Sequence, residues 1–252
     1  MGLVPTSCLQ QPRGRRAFTL MELMVVMTII GILMAILLPV LSRGKVKAKR
    51  LKCQSNLKQI ATSLRGFSGE NSTYMPWHLT GSNGLPPRFI PKNIFAAYNY
   101  PSLAADLGSA RILNSPCDPN REGVNRRMTL GRGNNGKGAI QNAGISYFVH
   151  HGGDEMAPGT ILAGTRNANY SSSTNYYYVA HGTQANRGNG KIASSRDAMW
   201  LGSYHRSRGM GMLRANQGQL ALSDGSAKQV NNADFSYAFR VHATKITGHS
   251  PS

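Results

Sequence analysis

The sequence predicts an α+β fold in which a long N-terminal helix precedes a small antiparallel β-sheet domain. Residues 18–41 form a nearly unbroken apolar run, and an amphipathic pattern of helical period follows it. The later part of the 252-residue chain shows short apolar runs separated by Gly, Asn and Ser. Such runs are typical of short strands joined by loops.

The apolar run Phe18–Leu41 is 24 residues long, and its only formal charge is Glu22. A membrane-spanning helix needs about 20 such residues. A core helix of a soluble domain would have a polar face, and the apolar region of a secretory signal is shorter, about 7–15 residues. We therefore expect one transmembrane helix.

The predicted helix continues beyond the apolar run. Its apolar stripe recurs at helical spacing, with a lysine-rich face opposite. The stripe comprises Val46, Cys53, Leu57, Ile60, Ala61, Leu64 and Phe67, and the opposite face carries Lys45, Lys49, Lys52 and Lys58. The pattern predicts a helix from about Thr19 to Arg65, roughly 70 Å long, that ends in the Gly66–Gly69 region.

Short strands are predicted in the second half of the chain. The candidates are Ile145–His150, Thr160–Ala163, Tyr176–Ala180, Ala198–Gly202, Gln219–Leu222 and Ala227–Val230. Asp224-Gly225 between the last two indicates a hairpin with a type I′ turn, which needs positive φ at both central residues. A final helix is expected from about Ala233 to Val241, with Asp234 near its start.

The net charge of +19 favours a polyanionic partner such as nucleic acid, an acidic membrane surface or an acidic polysaccharide. Nine of the basic residues flank the apolar run, however, and the rest are scattered. A membrane-anchored surface module that binds DNA or acidic polysaccharide is therefore one functional alternative.

Glu22 is the most informative residue of the apolar run. A carboxylate inside a membrane span costs about 2.5–3.5 kcal/mol even on the lenient insertion scale. Such a residue normally has a function and a partner, although a position near the interface, in reach of water, would also explain it.

The segment Arg15–Glu22 (RRAFTLME) resembles the cleavage and methylation site of type IV prepilins and type II secretion pseudopilins. The resemblance implies that a prepilin peptidase cuts between Ala17 and Phe18 and methylates the new amine. Glu22 then becomes the fifth mature residue, whose carboxylate can pair with the terminal ammonium of a neighbouring subunit. Ala17 stands where the family usually has Gly, and Pro39 falls where many pilins carry a helix-bending proline.

The resemblance implies a pilin-like organisation of four segments: a leader (1–17), a transmembrane or filament-core helix (18–41), an amphipathic continuation (42–67) and a globular domain (68–252). It implies a structural subunit of a type II secretion or type IV pilus-like filament. The partners would be the peptidase, other pilin or pseudopilin subunits and an inner-membrane assembly platform.

The same resemblance implies a single-pass protein of the bacterial inner membrane with its globular domain in the periplasm, and then a periplasmic or surface filament. The charge pattern alone favours the opposite orientation. Three arginines precede the span, whereas six basic residues follow it closely, and basic residues normally stay in the cytoplasm.

Two further stretches resemble a pseudopilin-like subgroup abundant in planctomycetes and verrucomicrobia. They are Ile145–Phe148 with Ile161–Asn167, and Asn216–Ser226. That subgroup often has a His, nine further residues and then the Asp-Gly pair, and this chain has Arg214 in the place of that His.

Two other groups of residues could carry chemistry. Without the leader the chain keeps Cys53 and Cys117, which could form one disulfide in an exported domain or remain two buried thiols. The cluster from His150 to Glu155 is most simply a polar turn, with Asp154 and Glu155 as a weaker calcium candidate. No catalytic constellation has supporting context, so no enzymatic activity and no other cofactor is expected.

Overall fold

The computed structural model describes residues 18–76, 98, 101–130, 140–150, 153–169, 177–178, 199–203 and 209–247. The chain divides into two compact units, Met1–Lys45 and Val46–Ser252. Most of the predicted strand Tyr176–Ala180 lies outside the described residues.

Helix α1 spans Leu20–Glu70, 51 residues, and includes Pro39. Its start agrees with the prediction, and its end lies just past the expected glycines, where Ser72 and Thr73 adopt positive φ. In the first unit its large apolar side chains are between 40% and 76% exposed. By length and composition this helix can cross a membrane.

In the second unit the remainder of α1 supplies one side of the main core. The predicted stripe is confirmed from Cys53 to Phe67, and Val46 is half-buried. Three polar residues, Asn56, Ser63 and Ser68, are buried beside it. The stripe packs in one cluster with apolar residues of the sheet, among them Tyr147, Val149 and Leu162.

The sheet is antiparallel and has five strands in the order β4-β1-β2-β6-β7. Its strands are β1 (Tyr147–His150), β2 (Ile161–Thr165), β4 (Tyr177–Tyr178), β6 (Gly218–Leu222) and β7 (Ala227–Val230). Two short strands, β3 (Ala168–Asn169) and β5 (Met199–Trp200), pair separately. The predicted α+β class, a long helix with a small antiparallel sheet, is confirmed.

The β6–β7 hairpin is confirmed, but the predicted type I′ turn is wrong. Gly225 has φ +83°, whereas Asp224 is not among the described residues with positive φ. The Asp224 carboxylate accepts a hydrogen bond from Ser226 N at 2.8 Å, and Gly225 N donates to Leu222 O. This pattern fits a longer loop with one left-handed glycine.

The other helices are short apart from the last. They are α2 (Pro101–Leu107) and α3 (Glu122–Asn125), with 3₁₀ turns at Ala110–Leu113, Pro119–Arg121 and Asn142–Gly144. The final helix α4 spans Asn232–Thr247, longer than predicted. Its extension is explained by tertiary contact, because the buried His242 accepts a hydrogen bond from Ile161 N at 3.0 Å.

Candidate functional site

The start of α1 is organised by Thr19 and Glu22. Thr19 N and Thr19 Oγ1 donate to the Glu22 carboxylate at 2.8 and 3.1 Å, and Glu22 N donates to Thr19 Oγ1 at 3.2 Å. This reciprocal arrangement is a capping box, which satisfies two backbone donors at the helix N-terminus. Phe18 lies directly before it and is 87% exposed. Ala17 lies outside the described residues.

The first half of α1 presents apolar side chains on all its faces. None of the residues in its most apolar 18-residue window is buried within the chain. Leu33, Leu37 and Val40, for example, are each more than half exposed. A surface of this size is covered either by lipid or by other apolar helices.

Cys53 and Cys117 are brought together, both fully buried, and the structure holds them as free thiols. The Cys53 thiol donates to the Cys117 sulfur. Ser115 Oγ donates to Cys53 Sγ at 2.9 Å and accepts from Cys117 N at 3.1 Å. The two side chains lie in one core cluster, and the predicted disulfide stays a prediction.

The two calcium candidates have other partners. The Asp154 carboxylate accepts from Met156 N at 2.9 Å and caps a turn, while Glu155 lies 3.6 Å from Arg65. Among the residues that the structure describes, no group of three or more His, Cys, Asp or Glu side chains converges. A calcium site at Asp154 and Glu155 therefore stays a prediction without geometric support.

A cationic cleft of about 620 Å³ lies on the second unit. Four basic residues line it: Lys49, Lys52, Arg111 and Arg126. Glu122 is the one carboxylate in its described lining, and it forms an ion pair with Arg126 at 2.5 Å. The cleft suits a ligand that carries negative charge.

A buried ionic cluster fixes the segment that carries Cys117. The Asp118 carboxylate accepts two hydrogen bonds from Arg166, at 2.5 and 2.8 Å, and one from Ser146 Oγ at 2.9 Å. Arg121 lies 3.6 Å away. Burial and the neighbouring Arg166 charge together lower the pKa of Arg121 to about 10, although the Asp118 carboxylate acts in the opposite direction.

Sequence reasoning missed two of these arrangements. The Thr-Leu-Met-Glu spacing of the capping box was readable, because a Thr followed three residues later by Glu is its signature. The Asp118 cluster had no local signal, since Ser146 and Arg166 come from distant parts of the chain. Arg214, the position compared with a subgroup histidine, is exposed, and its carbonyl accepts from Gln217 N at 3.2 Å.

The first similarity to known proteins concerns the N-terminal segment of the chain. Residues 12–38 match the family model of the prokaryotic N-terminal methylation motif. This match includes Phe18, Glu22 and much of the exposed apolar helix. It confirms the resemblance to the methylation site of prepilins.

Individual proteins that the chain resembles belong to type IV pilus and type II secretion systems. The chain is 41% identical over 63 residues to the type IV major pilin protein PilA of Myxococcus xanthus, covering 25% of this chain and 28% of the pilin. It is 32% identical over 106 residues to the type II secretion system core protein G of Escherichia coli, covering 42% of this chain and 66% of that protein.

The core protein G of Klebsiella michiganensis is 39% identical over 62 residues, covering 25% of this chain and 44% of that protein. The chain thus spans less than two thirds of the length of these relatives. No solved structure matches it significantly. The similarities support a pilin or pseudopilin-like protein, while the planctomycete and verrucomicrobial subgroup stays a prediction.

Proposed function

We propose that this chain is a structural subunit of a type II secretion or type IV pilus-like filament. The observation that carries the proposal is the methylation motif at residues 12–38, placed at the start of a helix whose apolar side chains the chain itself does not cover. Lateral contact with the same helix in other subunits would bury that surface.

Processing would occur between Ala17 and Phe18. The leader holds three arginines and no acidic residue, so its removal lowers the net charge from +19 to +16. A prepilin peptidase would release the amine of Phe18 and methylate it. Glu22 would then have two roles, as the cap of its own helix and as the counter-charge for a neighbour's terminal ammonium.

The proposed location follows from the same role. The apolar half of α1 would anchor the precursor in the bacterial inner membrane, with the second unit in the periplasm. Assembly would draw the subunit from the membrane through contacts with other subunits and an inner-membrane platform. The relatives support a structural rather than an enzymatic role.

The test is coexpression with a prepilin peptidase, followed by intact mass and N-terminal sequencing. We expect a mature chain that begins at methylated Phe18. Ala17→Gly serves as the matched variant, because it restores the residue usual in the family and should raise the processed fraction. Persistence of the Met1 start in both variants would contradict the proposal.

A second candidate function is binding of an acidic polymer, such as DNA or an acidic polysaccharide. The cationic cleft around Lys49, Lys52 and Arg111 favours it. Binding by phosphate or carboxylate contacts would weaken steeply with added salt. Loss of binding in Lys52→Gln with Arg111→Gln would place the site there, whereas no binding at low salt would dismiss this function.

A further inference from the structure

Cys53 and Cys117 lie 64 positions apart in the chain, yet their side chains meet in the core of the second unit. Cys53 belongs to α1, and Cys117 follows the turn Ala110–Leu113. A hydrogen bond links the two side chains, and Ser115 contacts both residues. The fold therefore brings the two cysteines together, which a cross-link requires.

The surroundings hold both sulfurs in place. Ser115 Oγ contacts Cys53 Sγ and the Cys117 backbone N–H at 2.9 and 3.1 Å. Tyr147 Oη donates to Cys53 O at 3.3 Å and lies 3.5 Å from Cys53 Sγ. Contacts from Ser115 and Tyr147 thus hold Cys53 in a defined position beside the segment that carries Cys117.

The two thiols differ in acidity. Burial and the hydrogen bond that it donates to Cys117 raise the pKa of Cys53 well above its ordinary value. The hydrogen bond from Cys53 lowers the pKa of Cys117, and Ser115, Arg50 and Lys49 lower it further. In the folded unit, Cys117 is therefore the thiol that is ionised more easily.

We propose that Cys53 and Cys117 form an intramolecular disulfide when the second unit reaches an oxidising compartment. The inference rests on the proposed function in one respect, namely that this unit is exported. The cross-link would join the amphipathic half of α1 to the segment that carries the Asp118 ionic cluster.

The oxidant is a dithiol–disulfide oxidase in its disulfide form. One of the two cysteines, as its thiolate, attacks one sulfur of the oxidase disulfide, whose bond breaks and whose other sulfur leaves as a thiolate. The second cysteine loses its proton, and its thiolate attacks the first cysteine's sulfur in this mixed disulfide, which releases the oxidase. The oxidase departs as a dithiol with two electrons and two protons. Because both thiols are buried in the folded chain, exchange takes place before folding is complete.

The experiment uses the full-length chain in membranes of cells that also make a prepilin peptidase. Acid quenching, denaturation and alkylation of free thiols precede digestion with trypsin. We expect the peptides Cys53–Lys58 and Ile112–Arg121 to be recovered as one linked species that separates on reduction. Cys117→Ser should abolish the linked species, and Ser115→Ala, which keeps both thiols, should retain it.

The outcomes separate this inference from the proposed function. A chain that begins at Phe18 with both cysteines alkylated before reduction overturns the disulfide and leaves the filament proposal standing. A linked species in a chain that still begins at Met1 and carries an alkylated Cys8 supports the disulfide but contradicts processing. Alkylation of all three cysteines in an unprocessed chain contradicts both.

Discussion

At the residue scale, Glu22 serves the helix that carries it before any partner is present. Its carboxylate accepts from Thr19 N and Thr19 Oγ1. A neighbour's terminal ammonium could share the same oxygens, since an ionised carboxylate has about four acceptor positions. The helix cap and the proposed intersubunit ion pair are therefore compatible.

Replacing Glu22 separates these two roles. Glu22→Gln keeps an oxygen acceptor for Thr19 N but removes the negative charge, whereas Thr19→Ala removes the hydroxyl and keeps the charge. We expect Glu22→Gln to reduce the fraction of chain in sheared filaments about tenfold or more, because it leaves a buried ammonium unpaired. Thr19→Ala should change that fraction less than about twofold, since a cap is worth only about 1 kcal/mol. Equal incorporation of Glu22→Gln and wild type would contradict the pairing.

Asp118 should dominate the stability of its surroundings. Asp118→Asn would remove the carboxylate charge that faces the buried Arg166 and Arg121 guanidinium groups. The expected loss in the free energy of unfolding is about 3–5 kcal/mol. Ser146→Ala removes one hydrogen bond of the same cluster and should cost about 1 kcal/mol. Denaturant unfolding measures both, and a loss below that of Ser146→Ala would refute the role of the charge.

His242 should make the second unit sensitive to acid. Burial lowers its pKa to about 3, so between pH 6.5 and about 3 the unfolded chain binds a proton that the folded chain does not. The free energy of unfolding should fall with decreasing pH in this window, by up to about 1.4 kcal/mol per pH unit. Above pH 6.5 this residue contributes no slope. Thermal melts of His242→Asn should show a shallower pH dependence; an unchanged slope would exclude His242 as the cause.

At the scale of elements, the sequence predicted those whose signal is local. The stripe of α1 and the Asp-Gly hairpin depend on neighbouring residues, and both are confirmed. The turn type was wrong because the loop takes one left-handed residue, Gly225, instead of two. The Asp118 cluster and the length of α4 could not be predicted, since Ser146, Arg166 and Ile161 reach them only through the tertiary fold.

Gly218 couples β6 to β5 through close packing. A Cβ at Gly218 would lie 2.1 Å from the ring of Trp200, which stacks on Phe235 at a centroid distance of 4.3 Å. Gly218→Ala should therefore destabilise the second unit by about 1–3 kcal/mol. Gly123→Ala is the control, because a Cβ there meets no atom within 4 Å. Equal stability of the two variants would show that the Trp200 ring can move aside.

At the scale of the whole molecule, the two units differ in how their apolar side chains are kept from water. The second unit has its own buried core. The first unit exposes its apolar side chains and needs lipid or other subunits to cover them. A precursor held in the membrane and a mature subunit held in a filament would meet that need in turn.

The most direct test is the N-terminal mass of the chain recovered from filaments sheared off cells that also make the assembly machinery. We expect a chain that begins at methylated Phe18 and is enriched in the filament fraction over the membrane fraction. A chain found only in membranes, with its Met1 start intact, would contradict the filament role and indicate a membrane-anchored protein that does not assemble.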